Sequence, residues 1–226
     1  MRREPVILSW SGGKDSSLAL ARLREDPAVE VVGLLTSVTR GYDRISIHGV
    51  RRSLLHAQAE ALGLPVVEVE LDPACTNDAY EAAFHVALRE IRAGDGRVRR
   101  IAFGDLFLQD VREYRERLIA QADGWEAVFP LWGLDTKELA ETFVRDGFRA
   151  HLVCVDTTQL DAAFAGAAFD AHLLAALPAT VDPCGERGEF HTFVSAGPIF
   201  TRPLALTRGE VVLREGRFAY CDLLPD

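Results

Sequence analysis

Val6-Ile7-Leu8-Ser9-Trp10-Ser11-Gly12-Gly13-Lys14-Asp15-Ser16 runs straight into the helix-like Ser17-Leu18-Ala19-Leu20-Ala21-Arg22-Leu23. An apolar strand that turns through two glycines into a helix makes an anion site from backbone alone. Glycine adopts positive φ and lets a ligand approach the main chain closely. The helix start directs unpaired N–H groups and the positive end of its dipole at the same spot. Lys14 adds a positive charge, and the Ser11 and Ser16 hydroxyls add donors. Asp15 is out of place among phosphates unless it caps the helix or meets a metal ion, and both roles stand open. The stretch reads as a phosphate-binding loop.

Outward from this loop, strands and helices alternate. Val29 to Leu35 is a β-branched apolar run, as expected of a strand covered on both faces. After a polar loop, Val50 to Leu62 has helical spacing and is closed by Gly63 and Pro65. Strands are expected at Pro65 to Leu71 and Arg99 to Phe103, with Gly104-Asp105 at the end of the second. Asn77 or Asp78 caps a helix reaching about Ile91, and Gln109 to Ala122 and Asp135 to Arg145 read as further helices. Ala127 to Leu131 is a short strand and Arg149 to Val155 a sixth. This pace means βαβ units, a mostly parallel sheet and helices on both faces. Ligands of such sheets sit beyond the carboxyl ends of the strands. The loop at Ser11, the segment after Leu35 and Gly104-Asp105 all fall there. From about Thr157 the pattern changes. Ala162 to Leu177 is alanine-rich and helical in character, and Glu210 to Leu223 is a hairpin turning at Glu215-Gly216. The expectation is an α/β fold with residues 1–156 as a nucleotide domain and 157–226 as a smaller α+β appendage.

The chain of 226 residues has a net charge of −9 and is 48% apolar, enough for a sizeable core. It has no long basic run, so nucleic acid is not an expected partner. The four cysteines, Cys75, Cys154, Cys184 and Cys221, are widely spaced and read as free thiols in a reducing compartment. The apolar stretch after Met1-Arg2-Arg3 meets glycine and charge by Gly12, which is too short for a signal peptide. With no bilayer-length apolar stretch, the expected location is cytoplasmic, away from the membrane.

A second dense cluster lies at Gly185-Glu186-Arg187-Gly188-Glu189-Phe190-His191-Thr192. Two carboxylates and an imidazole among glycines can bind Mg²⁺, hold an amine or move a proton. The same composition also suits a glycine loop whose charges are merely solvated.

The first loop departs from the Walker A pattern, which requires glycine where this chain has Leu8 and Ser or Thr where it has Asp15. It resembles instead the SGGxDS loop of N-type ATP pyrophosphatases. Together, Leu8 to Ser16 and Gly185 to Thr192 resemble the diphthine–ammonia ligase family and its bacterial relatives. The resemblance implies a HUP-type, Rossmann-like nucleotide domain facing a smaller C-terminal domain. It implies ATP and Mg²⁺, adenylation of a carboxylate on an acceptor, and attack by ammonia to give an amide, AMP and pyrophosphate. By position, Ser11, Gly12, Gly13, Lys14, Asp15 and Ser16 would hold the phosphates, with Asp15 also the metal ligand. Leu35 and Thr36 would meet adenine through backbone, while His48, Gly104 and Asp105 would border the nucleotide. Glu186, Glu189, His191 and Thr192 would face the acceptor, with Lys14, Asp15, Glu186, Glu189 and His191 taking part in catalysis. His191 stands where the family pattern tends to carry a second acid. A homodimer is an expected assembly. Competing readings are an RNA-thiolating or lysidine-type enzyme, which would want a basic face and a reactive cysteine pair, and a non-catalytic nucleotide sensor.

Overall fold

The computed structural model describes residues 3–45 and 49–226. The α/β expectation holds. Five strands run parallel in the order β4 (Val66–Leu71), β2 (Val29–Thr39), β1 (Glu4–Ser9), β5 (Arg100–Ala102) and β6 (Glu126–Val128). A two-residue strand, β3 (Arg44–Ile45), adds antiparallel to the far end of β2.

Side-chain alternation along β1 explains the layering. Val6 and Leu8 point to the face covered by α1 (Lys14–Glu25) and α2 (Arg52–Leu62), sharing a core with Leu20, Leu54 and Leu55. Ile7 points the other way, toward α3 (Asn77–Gly94) and α4 (Gln109–Ala120), into a second core with Phe84, Leu88 and Leu118. A strand with successive residues on opposite faces must be apolar throughout when both faces are covered. The chain departs from the expected cap of α3: Thr76, one residue earlier, accepts the Ala79 N–H at 3.3 Å.

A second, antiparallel sheet has the order β8 (Phe190–Ala196), β7 (Arg149–Asp156), β10 (Phe218–Pro225) and β9 (Leu206–Arg214). Here the structure corrects the sequence reading. The run at Arg149 is not a sixth strand of the parallel sheet but lies inside this second one. Leu152 and Val155 are fully buried on β7, and a strand covered on both faces looks alike in either sheet. Its partners, β8 and β10, come later in the chain.

Residues 162–177 are likewise not one helix. A 3₁₀ turn at Ala162–Phe164 and a short α6 (Ala171–Ala176) flank a segment that runs beside β7. Gly166 donates to Leu152 O at 2.7 Å, Leu152 to Ala167 O at 2.9 Å and Phe169 to Ala150 O at 2.8 Å. Pairing with a buried strand outweighs alanine's helical preference. The hairpin at the end of the chain forms as expected, with Glu215 and Gly216 at φ 53° and 64°, the positive values such turns require.

The C-terminal sheet packs on the α1/α2 side, and α5 (Thr136–Arg145) joins it. One core runs from Leu8 and Leu20 through Phe143 and Leu152 to Phe193. Arg24 on α1 ties this interface by donating to Ile199 O and Leu62 O, both at 2.8 Å.

Candidate active site

Strand order reverses between β1 and β5, so the loops after these two strands flank a crevice. The loop after β1 is the glycine stretch, with Gly12 at φ 79°. Of the four N–H groups that an α-helix start leaves unpaired, two find protein acceptors. Gly13 donates to Ser11 Oγ at 3.3 Å, and Lys14 donates to Thr192 Oγ1 at 3.0 Å. Asp15 and Ser16 keep theirs without an intrahelical partner. The Ser11 and Ser16 hydroxyls sit 3.2 Å apart beside them.

The glycines also make room for protein. A Cβ on Gly12 would come 2.7 Å from Gln58 Oε1, and one on Gly13 would come 3.0 Å from Thr192 O. The space they clear admits α2 and β8 behind the loop. Gln58, fully buried on α2, accepts from Trp10 Nε1 at 2.9 Å and donates to Gly12 O at 3.0 Å and Val194 O at 2.6 Å. Val194 N–H donates to Gly12 O at 2.9 Å. Strand β8, carrying the second motif, is thus fastened behind the first. Gln58 was missed from sequence. The available signal was a lone polar residue at the apolar spacing of Leu54, Leu55, Ala59 and Leu62.

Lys14 turns inward. It is 1% exposed, its Nζ donates to both Asp15 oxygens at 2.7 and 2.8 Å and to Cys184 O, and it lies 5.9 Å from the centre of the Phe190 ring. Burial is the largest influence and works against its charge, but Asp15 together with the other groups around it offsets burial and holds the ammonium above the usual lysine range. Asp15 therefore makes no helix cap; its carboxylate is the partner of Lys14. Among the described residues, no three His, Cys, Asp or Glu side chains are grouped so as to hold a metal ion by themselves.

The second motif divides in two. Glu189 is 1% exposed and accepts from Asp182 N–H at 2.8 Å and Arg187 N–H at 2.9 Å, so both oxygens close its own loop. Thr192, buried, accepts the Lys14 N–H at the start of α1. Asp182, also missed from sequence, accepts from Cys184 N–H at 2.8 Å and from the Thr136 hydroxyl at 2.8 Å. Glu186 differs from its neighbours. Its Oε1 accepts from Leu106 N–H at 3.0 Å, which joins the glycine loop to the loop after β5. Burial pushes its carboxyl up to about 7, opposed by the Leu106 N–H and by Lys14 and reinforced by Asp15 and Asp105. On His191, burial, assisted by Lys14, lowers the ring to about 4, so it is neutral at physiological pH. Burial drives the Cys184 thiol up to about 12, which keeps it protonated. All four cysteines are free.

Beyond the loop opens a cleft of about 1050 Å³, at the upper end of the range for small-molecule sites. Ser9 to Ser11 and Leu35 to Ser37 form one wall, Tyr80, Tyr114 and Arg115 another, and Glu215 reaches in from the hairpin tip. Leu35 O is already taken by Trp10 N–H at 2.8 Å, and the Thr36 hydroxyl donates to Trp10 O at 2.8 Å. Gly104 packs against the Asp15–Ser16 peptide, where a Cβ would lie 3.0 Å from Asp15 C. Asp105 follows. Its Oδ2 and the Arg115 Nε are both buried without a hydrogen-bond partner among the described residues and lie 3.8 Å apart. Burial raises the Asp105 carboxyl, Arg115 opposes this, and Asp15 adds to it. His48, expected to border the nucleotide, lies outside the described residues. No helix among the described residues is long and apolar enough to cross a membrane.

Two comparisons bear on this geometry. Residues 4–123 match the family model described as the diphthamide synthase N-terminal domain, and residues 135–222 match that of the diphthamide synthase C-terminal domain. No curated protein searched matches the chain.

Proposed function

The chain belongs to the diphthamide synthase family, and on that premise we propose that it is an ATP-dependent ligase of the diphthine–ammonia ligase type. It activates a carboxylate on an acceptor and converts it to an amide. The carboxylate oxygen attacks the α-phosphorus of ATP, the α–β bridging bond breaks, and pyrophosphate leaves. Ammonia then attacks the activated carbonyl, AMP departs and one proton is released. The observation that carries this reading is that, at the switch point between β1 and β5, the β5 loop packs on the first turn of α1 and bonds Glu186.

The residues present fit the substrate. The Asp15 and Ser16 N–H groups offer an anion fixed donors with the Ser11 hydroxyl beside them, while the Ser16 hydroxyl donates to Gly13 O at 3.0 Å. The buried Asp105 Oδ2 has no hydrogen-bond partner among the described residues and only a loose ion pair with Arg115 at 3.8 Å, which supports a role as a ligand oxygen. A Mg²⁺ ion, taking one or two carboxylates with the rest of its shell from phosphates and water, would use Asp105 and the exposed part of Asp15 and offset charge on the departing pyrophosphate. Glu186, titrating near neutrality, takes the proton released as ammonia adds. Lys14 keeps Asp15 and the second motif in register with the loop. The Cys184 thiol, buried and protonated, gives an RNA-thiolating enzyme no nucleophile at this point.

The test uses ¹⁵N-ammonium, ATP, Mg²⁺ and fractions of cell metabolites. A ¹⁵N-labelled amide formed in step with AMP identifies the acceptor. No label in any fraction, with ammonium saturating, overturns the ligase reading.

A further inference from the structure

The phosphates of ATP need a cation, and Lys14 does not present one to the cleft. Its ammonium is enclosed by Asp15, Cys184 O and Phe190. Among the described residues that line the cleft, Arg115 is the one lysine or arginine, while Asp72, Asp110 and Glu215 make the rest of the wall acidic.

Arg115 is held for use. Its guanidinium lies over the Phe103 ring with 5.0 Å to the centroid, and Nη1 donates to the Tyr80 hydroxyl at 3.2 Å. Those two contacts fix the plane of the group. Its Nε is buried, has no hydrogen-bond partner, and makes a loose ion pair with Asp105 Oδ2 at 3.8 Å, while 25% of the side chain stays exposed and lines the cleft. A closed ion pair would bring those atoms to roughly 2.8 Å. A pair stopped short of hydrogen-bond contact leaves donors of the guanidinium unspent on Asp105 and available to a group in the cleft. Proximity says which group. Gly104 packs on the Asp15–Ser16 peptide, Asp105 follows Gly104, and Arg115 faces Asp105, so a short path leads from the phosphate loop to the guanidinium.

We propose that Arg115 is a phosphate ligand of the bound nucleotide, the cleft-facing donors of its guanidinium taking an oxygen of ATP and, after the reaction, of AMP. The inference rests on the ATP reading above. Arg115 thus fills the cationic role that the sequence assigned to Lys14, and it does so from α4 rather than from the glycine loop.

The test is calorimetric titration of the full chain with adenosine, AMP and ATP–Mg²⁺. Replacing Arg115→Gln should weaken AMP and ATP roughly 10- to 100-fold, as loss of a charged hydrogen bond does, while adenosine stays within about twofold. Arg115→Lys, which keeps the charge but not the fork, should recover part of that loss. Equal affinity of the wild type and Arg115→Gln for AMP and ATP overturns the assignment. So does a loss of adenosine binding matching that of AMP, which would mark a structural role. A wild-type protein that binds none of the three overturns the ATP reading itself, and this inference falls with it.

Discussion

The two glycine loops look alike in composition and are put to different uses. The loop at Ser11 leaves the Asp15 and Ser16 N–H groups without an intrahelical partner and sets Ser11 in the wall of a cleft. The loop at Gly185 spends most of its polar groups on itself and on its neighbour. Glu189 gives both oxygens to backbone of its own loop, and Thr192 gives its hydroxyl to the start of α1. Glu186 alone reaches across to the β5 loop with a carboxyl near neutrality. Density of charge around glycines is thus a poor measure of chemistry. What separates a reactive carboxylate from a scaffolding one is how many fixed N–H groups already point at it.

Substitutions in the second loop can break this contrast, and the largest effect should fall on Glu186. Replacing Glu186→Gln should cut AMP formation by about 10²–10⁴, the usual worth of a general acid or base, with the melting temperature nearly unchanged. Glu189→Ala should show the reverse. One buried and one half-buried N–H group lose their acceptor, which costs about 3 kcal/mol and lowers the melting temperature by roughly 6–12 °C. Should Glu189→Ala prove inactive yet as stable as wild type, the division of labour drawn here is wrong.

The same contrast fixes a pH dependence. Because its carboxyl is raised to about 7, Glu186 is protonated below neutrality and ionised above it. Activity should therefore climb as pH rises through about 7, and this limb should vanish from the residual activity of Glu186→Gln. A limb that persists in the variant assigns the titration to another group. Thr192→Val is the mildest change. It removes one acceptor from the α1 start and should cost about 1 kcal/mol of stability in denaturant unfolding, with modest loss of activity.

Much of the first loop was legible because its signal is local. A strand, two glycines and a helix lie within a few residues, and the parallel sheet follows from apolar runs at regular spacing. Other features depend on partners far along the chain. β7 was assigned to the wrong sheet because nothing within Arg149–Asp156 encodes which strands will flank it. The 162–177 segment was given to one helix because alanine preference is local, whereas pairing with β7 is not. Gln58, Asp182 and Arg115 escaped notice because each is ordinary in sequence and gains meaning only from its setting. Lys14 and Glu189 were read correctly as unusual, but chain position could not show that their partners are internal.

The central claim is that the crevice between β1 and β5 cleaves ATP between its α and β phosphates. ³¹P NMR of the protein turning over ATP with Mg²⁺, ammonium and a metabolite extract tests it most directly. Resonances of AMP and pyrophosphate should grow together, dependent on the extract. Accumulation of ADP and inorganic phosphate would contradict it.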